Sequence, residues 1–372
     1  MNRIDGPHSV THVLEAYASA GTGLWGKERL VQGLMLAQRE SGELEPNLIV
    51  FVPCRLADEM RDLGFDVTTL EDRHRRIPVR SYPALRRALR AGPPTVVHTH
   101  GYKANLLGRA ARLGGTRMRA LVSTCHAWFD ESKATRLYNE LDRQSAFVSD
   151  ITTVADQRML RSFPSRGRKA YVANGLPDRA LTSAPERALA RDRFGFPSDR
   201  LVFGYLARTN AAKGLPEFLE SARRCQDDPY IWAIAGTGDL EATIAAAALP
   251  NVRFFGYVAD SDAYRGAIDV FVQASHIEGL SLSLLEAMRA GLPIIATDAG
   301  STSLAIRAGI DGVVVAPGDV GAMVAAAHAL GSDPGLAQRL GVAARERFVD
   351  AFRSDRQHRD FLNIYRSCIR AS

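Results

Sequence analysis

Two carboxylates lie eight residues apart in a segment that passes from a strand into a helix. The strand is predicted to end near Ser275, with Glu278 in the turn and the helix beginning near Ser281. Glu286 then lies about one and a half turns into the helix, so the two carboxylates reach different parts of an elongated ligand. The first-turn N–H groups, around Leu280–Leu282, can bind an anion. Taken singly, Glu278 also fits a turn residue and Glu286 a solvated helix carboxylate.

Two cations follow the first strand of the second half of the chain. Arg208 and Lys213 are five residues apart, in the loop that precedes a helix. Cations at the carboxyl end of a parallel strand can neutralise the charge of a diphosphate. The alternative is a surface Arg and Lys with no ligand.

A glycine-rich loop follows the first predicted strand. Gly21, Gly23 and Gly26 have the GxGxxG spacing, which lets backbone N–H groups approach a pyrophosphate. The acidic residue expected after the second strand is missing, because that strand ends at Arg55. Arg55 could serve a 2′-phosphate, so a nicotinamide enzyme stays open. We interpret the loop instead as part of a site for another anion.

The elements that must position these residues are short apolar strands alternating with helices. Strands are predicted over 11–18, 47–53, 66–70, 95–99, 119–125, 151–155 and 169–173, and again over 201–206, 230–235, 252–257, 270–274, 293–297 and 312–316. This alternation predicts an α/β fold with two doubly wound parallel sheets and a ligand cleft between them. We expect a first domain at 1–175, a proline-rich linker at 176–200 and a second domain at 201–353. The last helix, 354–372, could pack on either domain.

The composition fits two domains of ordinary size. Of the 372 residues, 46% are hydrophobic and 24% are charged, which excludes a disordered chain. The longest apolar runs are strand-sized, far below the ~20 residues of a membrane span. The cysteines, Cys54, Cys125, Cys225 and Cys368, are far apart and predict reduced thiols. The first ten residues lack the apolar region of an export signal, so we expect a cytoplasmic protein.

Positive charge is concentrated in the first half of the chain. Residues 1–178 hold 26 Lys and Arg against 19 Asp and Glu, a net of +7, while the whole chain carries +6. Twelve of these cations and no acid lie between Arg73 and Arg119. Such a field favours a polyanion or an anionic membrane surface, with solvated helix faces as the alternative. Nucleic acid is not expected, because the stretch has few aromatic residues to stack on bases.

Taken together, these motifs resemble the retaining glycosyltransferases of family 4, which have the two-domain GT-B fold. The resemblance rests on Glu278 and Glu286 at their spacing, and on Arg208 with the Lys213-Gly214 pair. Further likenesses follow in order along nearly the whole chain, at 96–101, 124–126, 172–175, 235–239 and 252–256. The resemblance implies two Rossmann-like domains facing a central cleft, the first binding an acceptor and the second a nucleotide-sugar donor.

The resemblance also implies a role for each matching residue. Arg208 and Lys213 would hold the diphosphate and stabilise its charge as it leaves, and Glu286 would bind the ribose hydroxyls. Glu278 and His126 would contact the donor sugar near the reaction centre. Backbone groups would complete the donor site at Gly26, Gly279, Leu280, Ser281, Leu282, Tyr257 and Val258.

The family needs no metal ion, and the resemblance implies no cofactor besides the nucleotide-sugar co-substrate. Asp260-Ser-Asp262 spells a metal-binding DxD motif, but its position before a helix predicts a helix N-cap. His98, His100 and His126 could form a metal triad; adjacent strand ends explain them as well, and we prefer that explanation. Two positions depart from the family pattern: Trp25 replaces a usual glycine, and no acid is present near Ser303.

The expected protein is a metal-independent, retaining hexosyltransferase that uses a UDP- or GDP-linked sugar. Its acceptor would be a glycan or a lipid-linked glycan, in the synthesis of bacterial surface polysaccharide. The basic stretch from Arg73 to Arg119 would hold either the acceptor or the inner face of the cell membrane. A nucleotide-sugar epimerase, a phosphorylase and a non-catalytic sugar-binding scaffold stay open as alternatives.

Overall fold

The chain divides into two compact units. The computed structural model describes residues 8–15, 24, 26–70, 78–126 and 133–371. The first unit ends at Pro177 and resumes at Arg353, and the second unit is Asp178–Phe352. Two α/β domains with parallel sheets were predicted, and this fold class is confirmed.

The first unit is built on a seven-stranded parallel sheet in the order β3-β2-β1-β4-β5-β6-β7. Its strands are β1 His8–Leu14, β2 Leu44–Val50, β3 Val67–Thr69, β4 Val96–His100, β5 Ala120–Cys125, β6 Ile151–Val154 and β7 Lys169–Tyr171. Its helices before residue 178 are α1 Gly26–Ser41, α2 Arg55–Asp62, α3 Tyr82–Arg90, α4 Tyr102–Leu113 and α5 Lys133–Gln144, with 3₁₀ turns at Pro78–Ser81, Ala146–Val148 and Gln157–Ser162. Every residue of β4 and β5 is buried, as expected for central parallel strands covered on both faces.

The second unit is built on a six-stranded parallel sheet in the order β10-β9-β8-β11-β12-β13. Its strands are β8 Leu201–Leu206, β9 Tyr230–Ala235, β10 Val252–Phe254, β11 Val270–Gln273, β12 Ile294–Thr297 and β13 Val313–Val315. Its helices are α6 Ala184–Phe194, α7 Leu215–Arg224, α8 Glu241–Ala247, α9 Ser261–Ala267, α10 Leu282–Arg289, α11 Thr302–Ala305, α12 Val320–Ser332 and α13 Pro334–Ala351, with a 3₁₀ turn at Ala211–Lys213. Trp232, Phe203 and Phe218 are fully buried at its core.

Residues 176–200 are not the linker that their prolines suggested. They contain α6, which begins with a capping box formed by Ser183 and Glu186 and has a proline in its first turn. Proline is well tolerated there, because the missing N–H would have no partner within the helix. Arg187 and Arg191 of this helix bond Asp269 at 2.5 and 2.9 Å, which ties the segment to the second unit.

The last helix, α14 Ser354–Ala371, packs on the first unit. Its Phe361 and Tyr365 join the core that contains Val10 and Val96 of the central strands. The chain returns to this unit beside the point where it left, because the N–H of Ser354 donates to the carbonyl of Leu176 at 2.9 Å.

The four cysteines are buried free thiols. Within the ranges that the structure describes, no helix combines the length and the apolar character needed to cross a membrane.

Candidate functional site

The second sheet reverses its strand order between β8 and β11, which are hydrogen-bonded neighbours. Ligands of doubly wound sheets bind beyond the carboxyl ends of the strands at such a switch point. The loop after β8 carries Arg208 and Lys213, and the loop after β11 carries Glu278. The topology therefore gathers three of the predicted residues at this edge of the second sheet.

Lys213 and Glu278 form an ion pair. Lys213 Nζ lies 2.7 Å from Glu278 Oε1, with 14% and 10% of the two side chains exposed. The hydroxyl of Ser275 donates to the same carboxylate oxygen at 2.9 Å. The sequence predicted both charges at this site, but it gave no sign that they pair with each other.

Backbone contacts hold the two loops together. Ala212 accepts hydrogen bonds from the N–H groups of His276 and Ile277, at 2.9 and 3.3 Å. Gly214 has a φ of +69°, and a Cβ there would lie 1.8 Å from the carbonyl oxygen of Ala274. Glycine is therefore required after Lys213, since any side chain would separate the two loops.

The loop after β12 packs directly against the turn that carries Glu278. Gly300 has a φ of +57°, and a Cβ there would lie 2.0 Å from the carbonyl oxygen of Glu278. The N–H of Ser301 donates to the carbonyl of Gly279 at 3.1 Å. Ser303, where the family pattern has an acid, is exposed in α11.

Beyond this turn the chain enters α10. Ser281 is the N-cap, and its hydroxyl accepts from the N–H of Leu284 at 3.4 Å. Gly279, Leu280 and Leu282 thus form the predicted entry into the helix, with Leu280 buried.

Glu286 is buried in α10 and pairs with Arg265 of α9. Arg265 Nη1 lies 2.9 Å from Glu286 Oε2, and only 2% of the arginine side chain is exposed. Arg265 also donates to Asp262 at 2.6 Å and to Ser261 at 2.9 Å. The buried guanidinium holds the carboxylate in a fixed orientation.

The DxD segment caps α9, as predicted. Asp260 accepts from the N–H of Ala263 at 3.0 Å, which confirms the N-cap. Asp262 bonds Arg265, Arg289 and Arg179. Burial raises the pKa of Asp262, but the Arg265 and Arg289 charges and the hydrogen bond from Arg265 outweigh it, so the pKa is lowered overall.

Arg208 is exposed at the end of β8. Its carbonyl accepts from the hydroxyl of Tyr205 at 2.7 Å. Burial raises the pKa of Tyr205, Glu278 raises it further, and Arg208 opposes them, so all three groups share one electrostatic environment.

The remaining predicted donor residues follow β10. Tyr257 is 46% exposed and Val258 is half-buried. Just before them, the carbonyl of Gly256 accepts from the N–H of Gly236 at 2.7 Å, which ties this segment to the glycine loop after β9.

Two predicted residues belong to the first unit. His126 follows β5, and Gly26 is the exposed first residue of α1. Gly21, Gly23 and Trp25 lie outside the described residues.

The switch point of the first sheet, between β1 and β4, is occupied by histidines. His12, His98 and His100 are buried, and His100 contacts His126 at 3.3 Å between ring nitrogens. Burial lowers the pKa of His12 to about 4 and that of His126 to about 3, the nearby Lys27 charge adding to the second shift. These imidazoles are therefore neutral near pH 7.

The nitrogens of His12, His98 and His100 lie within 4.8 Å of one another, so this trio, rather than the predicted set with His126, has the spacing of a metal site. Both nitrogens of His98 are already bonded, to Tyr365 at 2.7 Å and to Thr124 at 2.6 Å. Both nitrogens of His12 are likewise bonded, to His100 and to Gln38. Hydrogen bonding thus accounts for these nitrogens.

Family comparison agrees with this arrangement along most of the chain. A family model described as "Glycosyl transferase 4-like domain" matches residues 26–175, and one described as "Glycosyl transferases group 1" matches residues 186–347. The chain is a group 1 glycosyltransferase.

Relatives of this glycosyltransferase include the putative glycosyltransferase EpsD of Bacillus subtilis, which is 27% identical over 295 residues, 73% of this chain and 77% of EpsD. The O-antigen chain mannosyltransferase C of Escherichia coli is 32% identical over 164 residues, 41% of this chain and 43% of that protein. The crystal structure of Anabaena HepE with UDP and glucose has 16% identity and a TM-score of 0.82, over 96% of this chain and 99% of that one. The fold is thus that of GT-B glycosyltransferases.

Sequence reasoning about the glycosyltransferase missed two buried partners. No sequence motif marks Arg265. Its neighbours Tyr264 and Ala267 are buried, and an arginine that is buried with them needs an acidic partner. His12 was not selected either, because its contact with His100 spans 88 residues. Strand alternation could have found it, since His12 faces His98 across neighbouring strands.

Proposed function

We propose that this glycosyltransferase moves a hexose from a UDP- or GDP-linked sugar to an acceptor hydroxyl, with retention of configuration and without a metal ion. The observation that carries the proposal is the grouping of Arg208, Lys213 and Glu278 at the switch point of the second sheet. Cations for a diphosphate and a carboxylate for sugar hydroxyls meet there.

Lys213 has two competing anions in this proposal. Without a donor it neutralises Glu278 at 2.7 Å. A bound diphosphate, carrying more charge, draws the ammonium group away and leaves the carboxylate to accept hydrogen bonds from the sugar. The exposed guanidinium of Arg208 supplies the second positive charge.

Glu286 accepts hydrogen bonds from the ribose hydroxyls, with Arg265 fixing the carboxylate at 2.9 Å. Backbone groups of Tyr257 and Val258 meet the nucleobase, and the turn at 279–282 presents N–H groups to the donor. HepE, whose structure contains UDP and glucose, shares the fold and supports this class of donor.

In the transfer step the acceptor oxygen forms a bond to the anomeric carbon while the bond from that carbon to the diphosphate oxygen breaks. The acceptor proton passes to an oxygen of the leaving phosphate, on the same face of the sugar. Arg208 and Lys213 stabilise the charge that develops on the diphosphate, the task that a metal ion performs in other transferases. No protein nucleophile is assigned.

The acceptor is proposed to be a glycan or lipid-linked glycan of a bacterial surface polysaccharide, bound by the first unit. The name of the mannosyltransferase relative, which refers to an O-antigen chain, supports this class. Arg80, Arg87, Arg90 and Arg117 are exposed in this unit, and we propose that they contact an anionic membrane surface. Arg73, Arg75 and Arg76 lie outside the described residues.

The donor is tested by thermal denaturation with UDP, GDP, ADP and their sugars. A ligand that binds only the native state raises the midpoint, and 100 Kd of ligand adds about 2.7 kcal/mol. We expect either UDP or GDP, and not the other nucleotides, to raise the midpoint. Glu286→Gln should bind that nucleotide about tenfold more weakly, because charge-assisted hydrogen bonds to the ribose become neutral ones. Glu346→Gln, an exposed carboxylate of the same unit, is the control. No shift with any nucleotide would contradict the proposal.

The reaction is tested by following the anomeric proton of the product by NMR, with and without EDTA. We expect the donor's configuration in the product and an unchanged rate in EDTA. An inverted product would refute retention, and a rate lost in EDTA and restored by Mg²⁺ or Mn²⁺ would refute metal independence.

A further inference from the structure

Three imidazoles of the first unit form a continuous hydrogen-bonded chain. His12 Nδ1 lies 2.9 Å from His100 Nε2, and His100 Nδ1 lies 3.3 Å from His126 Nε2. These residues come from β1, from β4 and from the residue after β5, which are adjacent in the sheet. The rings of neighbouring members are stacked, with centroids 5.2 and 5.5 Å apart.

Gln38 of α1 gives this chain a direction. Its Oε1 lies 2.8 Å from His12 Nε2, and its Nε2 donates to the hydroxyl of Tyr365 at 3.4 Å. An amide oxygen can only accept, so His12 carries its proton on Nε2 and accepts on Nδ1. His100 must then donate from Nε2 and accept on Nδ1, and His126 must donate from Nε2.

The chain therefore ends in a bare acceptor at His126 Nδ1. This nitrogen is buried and has no hydrogen-bond partner among the residues that the structure describes. His100 and His126 line a narrow pocket together with Thr124, Asn174 and Gln357. Gln357 Oε1 is likewise buried with no partner in the described part of the protein, so two of the residues that line this pocket carry an unpaired acceptor.

The surroundings keep the three hydrogen-bonded imidazoles neutral. Burial lowers the pKa of each member, and the charge of Lys27 lowers the pKa of His100 and of His126 further. Burial also lowers the pKa of His98, beside His100, and keeps this imidazole neutral. A proton arriving at His126 could not leave through Gln38, because a carboxamide does not accept a proton near neutral pH. The chain orients a hydrogen bond and does not conduct protons.

We propose that His12, His100 and Gln38 are positioning residues that hold His126 as the neutral Nε2–H tautomer, so that its Nδ1 accepts a hydrogen bond from a sugar hydroxyl. The identity of the ligand rests on the proposed function, whereas the tautomer does not. His126 then orients the sugar and is not the base of the transfer.

The tautomer is tested by nitrogen NMR of the ligand-free protein labelled with ¹⁵N-histidine, since protonated and bare ring nitrogens resonate far apart. We expect His126 in the Nε2–H form at pH 7, and a mixture of forms in His100→Ala and Gln38→Leu. His358→Gln removes another buried imidazole of the first unit, whose ring nitrogens bond none of the described residues, so it should leave His126 unchanged. A Nδ1–H form of His126 in the native protein would overturn the inference. So would a stoichiometric Zn²⁺ ion bound by His12, His98 and His100, because it would displace these hydrogen bonds.

Kinetics separate positioning from mere support of the fold. Gln38→Glu keeps an oxygen acceptor for His12, so above pH 8 we expect this variant to have the native tautomer of His126 and the native kcat. Gln38→Leu has no acceptor and should lose about tenfold in kcat, with the KM for the donor little changed. Equal losses in both folded variants would overturn the positioning role. If no nucleotide sugar binds while His126 keeps its Nε2 proton, the proposed function fails and the tautomer assignment stands.

Discussion

The two sheets carry opposite chemistry at the same place in their topology. Beyond the switch point of the second sheet, the loops after β8 and β11 bring a lysine and a glutamate together. At the switch point of the first sheet, β1 and β4 bring together His12 and His100, which burial keeps neutral. Fixed positive charge suits a diphosphate, whereas an oriented neutral imidazole nitrogen suits a hydroxyl group. The difference predicts which ligand group each unit binds.

The buried charges of the first unit are accordingly expected to support the fold. Arg109, part of the basic stretch, is buried and bonds Asp142 at 2.8 Å, with 2% and 0% of the side chains exposed. Asp142→Ala should lower the free energy of unfolding by about 3–5 kcal/mol, because it leaves a buried guanidinium without its partner. Urea denaturation measures this loss. Asp58→Ala, which breaks the exposed pair with Arg61, should cost less than about 1 kcal/mol.

Charges of the second unit are expected to serve the reaction. Lys213→Met and Arg208→Met should each lower kcat by about 10²–10³-fold, since each removes a cation from the leaving diphosphate. Initial rates of donor consumption test this, with the exposed Arg253→Met as the control. A normal kcat in either variant would contradict the claim that the cations at the second switch point serve the reaction.

Acid should weaken the first unit before the second. A histidine whose folded pKa is lowered stabilises the protein fully above its unfolded value of about 6.5, and this stability is lost as the pH falls towards the folded value. Because the folded pKa of His12 is about 4, its protonation should lower the free energy of unfolding by about 2 kcal/mol between pH 7 and 4.5. Asp262, whose pKa is lowered, stays ionised in that window.

Hydrogen exchange at the two pH values can assign this loss to the first unit. His12→Gln should flatten the pH dependence of stability, and the exposed His328→Gln of the second unit should not. Equal acid sensitivity in both units would contradict the comparison.

The smallest effect is expected at the surface of the first unit. Arg80→Gln with Arg87→Gln should weaken binding to vesicles containing phosphatidylglycerol by about 1 kcal/mol per residue. Loss of the same charge from the second unit, Arg253→Gln with Arg339→Gln, is the control. Sedimentation with anionic and neutral vesicles measures both. Equal effects of the two pairs would exclude a membrane surface specific to the first unit.

Local patterns predicted the strands well because buried parallel strands are short apolar runs between polar turns. The strands predicted at 201–206 and 230–235 are β8 and β9. The linker prediction for residues 176–200 was wrong, because a proline is compatible with the first turn of a helix and Ser183 and Glu186 form a capping box around Pro185.

The site was predictable where motifs carried it and hidden where distant side chains completed it. Arg208, Lys213, Glu278 and Glu286 stood out by type and spacing. The contacts of Glu286 with Arg265, and of His12 with Gln38, join residues 21 and 26 positions apart on different elements. No local pattern encodes such pairs, because packing alone decides which buried polar groups meet.

The return of α14 to the first unit has a consequence for how the protein is made. On the ribosome, β1 and β4 emerge before the second unit, but their core cluster lacks Phe361 and Tyr365 until α14 has been translated. The whole second unit, Asp178–Phe352, is synthesised in the interval and can complete its own core first. The nascent first unit therefore exposes this apolar surface until α14 is synthesised, and we expect a chaperone to bind this half of the molecule during that interval.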